Sequence, residues 1–206
     1  MIFEACTGSY IEAIKAFKNG AHRIELCDNL YEGGTTPSYG TIKKTKENID
    51  IPINVIIRPR GGNFIYNNDE KEIMFTDIEM CKNLGVNGIV IGSLTEKNII
   101  DIDFISKAKK LAGDLNITFH MAFDEIKDKK EAIDTLVDLK IDRILTKGGE
   151  NSALDNLESL KELIEYADDR IILIPGAGIN EDNRDMVIKS TGAKEIHGTK
   201  IVGTLK

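Results

Sequence analysis

Asn19-Gly20-Ala21-His22-Arg23-Ile24, Leu84-Gly85-Val86-Asn87-Gly88-Ile89 and Thr191-Gly192-Ala193-Lys194-Glu195-Ile196 share one shape. In each, a helix-type stretch ends on a glycine able to take the left-handed cap conformation, and an apolar run follows within a few residues. Leu139-Lys140-Ile141-Asp142-Arg143-Ile144 follows the same plan without the glycine. One helix-to-strand joint used four times predicts a repeated βα unit, and strict βα alternation predicts a parallel sheet.

Working outward from these joints, eight β-type runs appear: Ile2 to Cys6, Arg23 to Cys27, Ile53 to Arg58, Gly88 to Gly92, Ile117 to His120, Arg143 to Thr146, Arg170 to Pro175 and Lys194 to His197. Between them lie stretches with apolar residues at helical spacing, such as Met74, Ile78 and Cys81. No G-x-G-x-x-G follows the first run, which removes the main dinucleotide signal of an open doubly wound sheet. Eight is also the number of units that closes. The expectation is one minimal (β/α)8 TIM barrel over residues 1–206, at about 26 residues per unit. After the eighth run only Gly198 to Lys206 remain, so the eighth helix is expected to be truncated or absent, leaving a groove between outer helices.

Composition narrows the class. Hydrophobic residues make up 41% and charged residues 30%, ordinary for a globular chain, and the formal net charge of −7 argues against nucleic acid as a partner. No apolar run is long enough for a transmembrane helix, and the first residues lack the pattern of a signal peptide. Three cysteines at distant spacings fit a reducing, cytoplasmic setting better than a disulfide framework.

Alternation along the strands then gives an unexpected barrel interior. The apolar face of each strand should meet the helices, which turns Glu4, Cys6, Arg23, Glu25, Cys27, Asn54, Arg58, Thr118, His120, Glu195 and His197 inward. Barrel interiors are usually filled by Val, Ile and Leu, and buried ionisable groups are costly unless they pair or do chemistry. A purely structural reading has Glu4 and Glu25 neutralised by Arg23 and Arg58. A functional reading notes that Glu4, Cys6, Glu25, Cys27, Arg58, His120 and His197 fall toward the C-terminal strand ends, where barrel active sites are built.

On the functional reading each type has a task. Glu4, Glu25 and His120 are candidates for general acid–base work. Arg58 and Arg60, in Arg58-Pro59-Arg60-Gly61-Gly62, offer an anion clamp. The glycine loops Thr146-Lys147-Gly148-Gly149 and Pro175-Gly176-Ala177-Gly178 are either tight βα turns or cradles for an anionic or phosphorylated small molecule, joined by His197. A divalent metal between His120 and His197 is a further option. Cys6 and Cys27 each close a strand in the context Glu-x-Cys, so two thiolates at neighbouring strand ends are candidates for a soft ion such as Cu(I). His22 lies at the opposite strand end and Cys81 on a helix stripe; both read as structural.

The same residues carry a resemblance. Glu4-Ala5-Cys6, Gly20-Ala21-His22-Arg23-Ile24-Glu25-Leu26-Cys27, Ile57-Arg58-Pro59-Arg60-Gly61-Gly62, Thr118-Phe119-His120-Met121-Ala122-Phe123-Asp124 and Arg143-Ile144-Leu145-Thr146-Lys147-Gly148-Gly149 resemble the CutC copper homeostasis proteins, in order along the chain. The resemblance implies a cytoplasmic TIM barrel, often a homo-oligomer (dimer or tetramer), that binds copper as Cu(I) through the cysteines falling here on Cys6 and Cys27. The alternative is a barrel enzyme acting on a small anionic metabolite with Glu, His and Arg at its mouth. Met121 and Ala177 depart from the family pattern, which usually has Arg and Gly there, and the tail past His197 is short.

Overall fold

The computed structural model describes residues 1–205. Eight parallel strands alternate with seven helices: β1 (Ile2–Thr7), α1 (Tyr10–Lys18), β2 (Arg23–Leu26), α2 (Tyr39–Asn48), β3 (Ile53–Ile56), α3 (Asn68–Asn83), β4 (Gly88–Ile91), α4 (Ile102–Ala112), β5 (Asn116–Phe119), α5 (Lys129–Asp138), β6 (Arg143–Thr146), α6 (Leu157–Ala167), β7 (Ile172–Pro175), α7 (Arg184–Thr191) and β8 (Glu195–Gly198). The strands follow the order β7-β6-β5-β4-β3-β2-β1-β8, with β8 paired to β1. The seam lies between β7 and β8, where the loops that follow them meet in a parallel bridge from Asn180 to Lys200. The result is the (β/α)8 barrel that the alternation predicts.

The four repeated joints work as their sequence requires. Gly20, Gly85 and Gly192 have φ of +87°, +68° and +73°, and Lys140, standing where the fourth glycine would be, has φ +57°. A helix must turn sharply there to feed the next strand, and only the left-handed region does so in one residue. Helices α1 to α5 start on side-chain caps; Asn67 and Glu70, for example, form a reciprocal capping box at α3.

Apolar side chains such as Ile24, Leu26, Val55, Ile57, Ile89 and Ile91 point outward, fully buried against helix residues including Met74, Ile78 and Cys81. This shell is the main core. The interior is different: Glu4, Arg23, Glu25, Asn54, Thr118, His120, Glu195 and His197 are all buried there. A second, small apolar cluster of Cys6, Cys27, Ile56 and Val90 sits apart from the shell.

No helix follows β8 among the described residues, as expected, but the anticipated open groove is filled. The tail folds into the gap between α7 and α1, burying Ile201, Val202 and Leu205. Arg184 at the start of α7 donates to Ile201 O at 2.6 Å, and Asn19 at the end of α1 donates to Val202 O at 3.0 Å. The Arg184 guanidinium also covers the Phe3 ring at 4.3 Å. Three apolar side chains in an irregular segment thus do the covering that an eighth helix would do.

Candidate functional site

Parallel pairing of β1 with β2 and β8 brings the polar interior together. Glu4 lies opposite Arg23 on one side and His197 on the other, and Cys6 lies opposite Glu25. At the lower level, the Arg23 guanidinium bridges Glu4 and Glu195, and Arg143 donates to Glu195 at 3.0 Å. Asn54 also faces Glu4, at 3.4 Å. Gly88 makes room here, because a Cβ at that position would collide with the Asn54 side chain and the Asn116 carbonyl. This level is a structural network of the kind that one sequence reading proposes, although its second acid is Glu195 rather than Glu25 and its second arginine Arg143 rather than Arg58.

Above it, His197 stands between two carboxylates. Its Nδ1 is 2.9 Å from Glu4 Oε1, and its Nε2 is 3.6 Å from Glu25 Oε2. Burial works against charging the ring, but Glu25, Cys6 and Glu4 outweigh it and hold His197 well above the usual histidine range, as a cation. For Glu4, burial alone would raise the carboxyl; Arg23 and His197 outweigh it and hold the group at about 2.

At the top the Cys6 and Cys27 sulfurs are 4.0 Å apart, with Glu25 Oε2 3.5 Å from Cys27 Sγ. The hydrogen bond from the Cys27 thiol, helped by His197, holds Cys6 well below the ordinary thiol range against its burial. The same hydrogen bond, with burial, raises Cys27 well above that range. Glu25 is raised by burial and by the neighbouring Cys6 charge. Glu4 and Glu195 pair with Arg23, Arg143 and His197 below the two sulfurs. Cys6, Glu25 and Cys27 present ligand atoms all within 4.8 Å of one another, the group of this kind among the described residues. Both His197 nitrogens face carboxylates, Glu4 and Glu25.

The cluster forms one wall of a pocket of about 520 Å³ at the C-terminal ends of the strands. His120 lines it. Its Nδ1 accepts from the Ala122 N–H at 3.1 Å, and burial, reinforced by the charge of Arg58, lowers its pKa to about 3. Gly92 is required beside it, since a Cβ there would overlap the imidazole. Gly178 and Ala177 also line the pocket, with φ of +83° and +71°.

Other sequence candidates are placed elsewhere or otherwise employed. Arg58 reaches the pocket, but it donates to the carbonyls of Glu32, Gly34 and Gly62 at 2.6, 2.9 and 2.7 Å, pinning two loops. Arg60 is engaged by Glu70 at 2.5 Å and by the carbonyls of Gly61, Asn63 and Ile65. Gly148 and Gly149 pack on Leu160 and Asn156 and lie outside the pocket lining, and the Lys147 and Gly148 N–H groups are taken by Asp124 and Thr146. Gly176 abuts Leu145, Met121 and His197, where any Cβ would crowd them. His22 accepts from the Phe3 N–H at 3.0 Å at the other end of the barrel, and Cys81 is buried in α3, both structural as read. Sequence reasoning missed the apolar walls Phe64, Leu145 and Ile179 and the rim residue Lys200. Phe64 follows a glycine-rich loop with no periodicity to mark it.

Fold and site together define a (β/α)8 barrel whose mouth holds paired thiols backed by a buried ion network. The CutC family matches residues 1–202, and the chain belongs to that family. It is 46% identical over 209 residues to a CutC family protein of Enterococcus faecalis, covering 98% of this chain and 100% of that one. The copper homeostasis protein cutC homolog of Mus musculus is 43% identical over 196 residues, 95% of this chain and 72% of the mouse protein. The crystal structure of CutC from Streptococcus agalactiae superposes with a TM-score of 0.94 at 40% identity, over 98% of this chain and 99% of that one.

Proposed function

We propose that this protein serves copper homeostasis by binding Cu(I) between Cys6 and Cys27. The observation that carries the reading is the pair of free cysteine sulfurs 4.0 Å apart at the edge of the pocket. Two thiolates are soft donors of the kind that select Cu(I). At a sulfur–metal distance of about 2.3 Å, both reach one ion without backbone movement. A monovalent ion adds less charge to this buried site than a divalent one. Glu25, a hard oxygen donor, supplies polarity beside the sulfurs rather than a third soft ligand. Its three free thiols suit a reducing cytoplasm, and among the described residues no helix is long and apolar enough to cross a membrane.

The test is an anaerobic Cu(I) titration against a chelating competitor in weakly buffered solution. One Cu(I) should bind per chain with release of about one proton, and Cys6→Ser with Cys27→Ser should abolish it. Stoichiometric binding that survives the double substitution would place the copper elsewhere.

A further inference from the structure

The pocket is larger than an ion requires. Its volume of about 520 Å³ falls within the roughly 300–1,000 Å³ of small-molecule sites. Two buried side-chain N–H groups on residues lining it have no partner: His120 Nε2, on a residue 5% exposed, and Arg58 Nε, on a residue 4% exposed. Because His120 Nδ1 accepts from the Ala122 N–H, the ring proton sits on Nε2, which is therefore a donor. Buried donors without acceptors are costly, and a ligand that supplies the acceptor recovers that cost.

The two groups are neighbours. Both lie against Phe64, whose ring centroid is 4.8 Å from that of His120 and 5.1 Å from the Arg58 Cζ. The three carbonyls that hold Arg58 fix its guanidinium as a rigid positive charge without an anionic partner. Lys200 adds a second cation at the rim. The remaining surface is largely apolar, with Leu30, Phe64, Met121, Leu145 and Ile179 along the walls. The glycine loop after β6 provides no phosphate cradle to this pocket, because its first two N–H groups are consumed and its glycines are not part of the lining; the loop after β7 does line it, with Ala177, Gly178 and Ile179, but an inorganic phosphate there would leave the apolar walls uncovered. Acceptor, negative charge and an apolar body together describe a carboxylic acid.

We infer that this pocket binds a small organic carboxylate, one oxygen accepting from His120 Nε2–H beside the Arg58 guanidinium and the apolar body lying against Phe64, Leu145 and Ile179. The site shares its pocket with the thiol pair but draws its donors from other residues, so carboxylate binding does not require copper.

Calorimetric titration of the full chain with 4-methylpentanoate, its methyl ester and inorganic phosphate tests this, with the proton resonance on His120 Nε2 followed in parallel. The carboxylate should bind and move that resonance, while ester and phosphate bind at least about tenfold more weakly (~1.4 kcal/mol). His120→Phe, which keeps a ring and removes the donor, should weaken the carboxylate by about tenfold or more, and His120→Gln, which restores an N–H, should recover most of the loss. In Cys6→Ser/Cys27→Ser the carboxylate should bind as in the parent, which separates this site from the copper reading. A folded parent protein that takes up no carboxylate at about ten millimolar, a Kd of that order being already negligible, overturns the inference. So does equal binding of ester and acid, or an Nε2 resonance that stays in place. Should His120→Phe fail to fold, the resonance of the parent protein and the His120→Gln affinity decide.

Discussion

His197 Nδ1 lies 2.9 Å from Glu4 Oε1, tying the last strand to the first inside the barrel. The same carboxylate holds Arg23, so a single fully buried acid pairs with two buried cationic side chains contributed by β2 and β8. Closure of the sheet on that side and orientation of the imidazole beside the thiols therefore depend on one side chain.

Glu4→Gln should cost about 3–5 kcal/mol, because it leaves Arg23 and His197 buried with too little negative charge. The pH dependence has a definite sign. Glu4 is depressed from 4.5 to about 2 in the folded chain, so its contribution is complete above about pH 4.5 and is lost as pH falls toward 2. Urea midpoints of parent and variant, measured from neutral pH downward, should converge across that window. A gap that stays constant down to pH 2 would show that the Glu4 charge is not what stabilises the fold.

Arg58→Lys keeps the charge but loses the planar fork that reaches three carbonyls at once. With two of those bonds gone, stability should fall by about 3 kcal/mol, and hydrogen exchange should accelerate around Glu32–Gly34 and at Gly62. Exchange confined to the pocket rim after β7 instead would assign Arg58 a different role.

Ala177 occupies the left-handed region at φ +71°, where a Cβ is unfavourable by roughly 1–2 kcal/mol. Ala177→Gly relieves that strain and gives back part of it as chain entropy, for a net gain of about 0.5–1 kcal/mol. The melting temperature should rise by roughly 1–4 °C for a chain of this size. A lowered melting temperature would mean that the loop needs the Ala177 methyl for packing.

The barrel was legible because its signals are local and repeated. Each glycine joint sets one left-handed residue, and strand alternation turns Glu4, Cys6, Glu25 and His197 to one side without reference to anything distant. The thiol pair was legible for the same reason, since Cys6 and Cys27 end neighbouring strands in matching contexts. Partners that depend on which long side chain reaches which group were not. Arg58 reads as an anion clamp in its motif, yet its fork is spent on the backbone of the loop after β2; Arg143, unremarked on strand alternation alone, completes the Glu195 pair across the barrel. The filled groove escaped as well, because Ile201, Val202 and Leu205, though at helical spacing, pack in as an irregular segment whose place between α7 and α1 only the three-dimensional structure shows.

X-ray absorption at the copper edge, on protein loaded anaerobically with one Cu(I) per chain, tests the central claim most directly. The paired thiols predict an inner shell of two sulfurs at about 2.2–2.3 Å, lost when Cys6 and Cys27 are both replaced by serine and kept when Cys81 is. An inner shell made only of nitrogen and oxygen, or a sulfur shell that depends on Cys81, would contradict it.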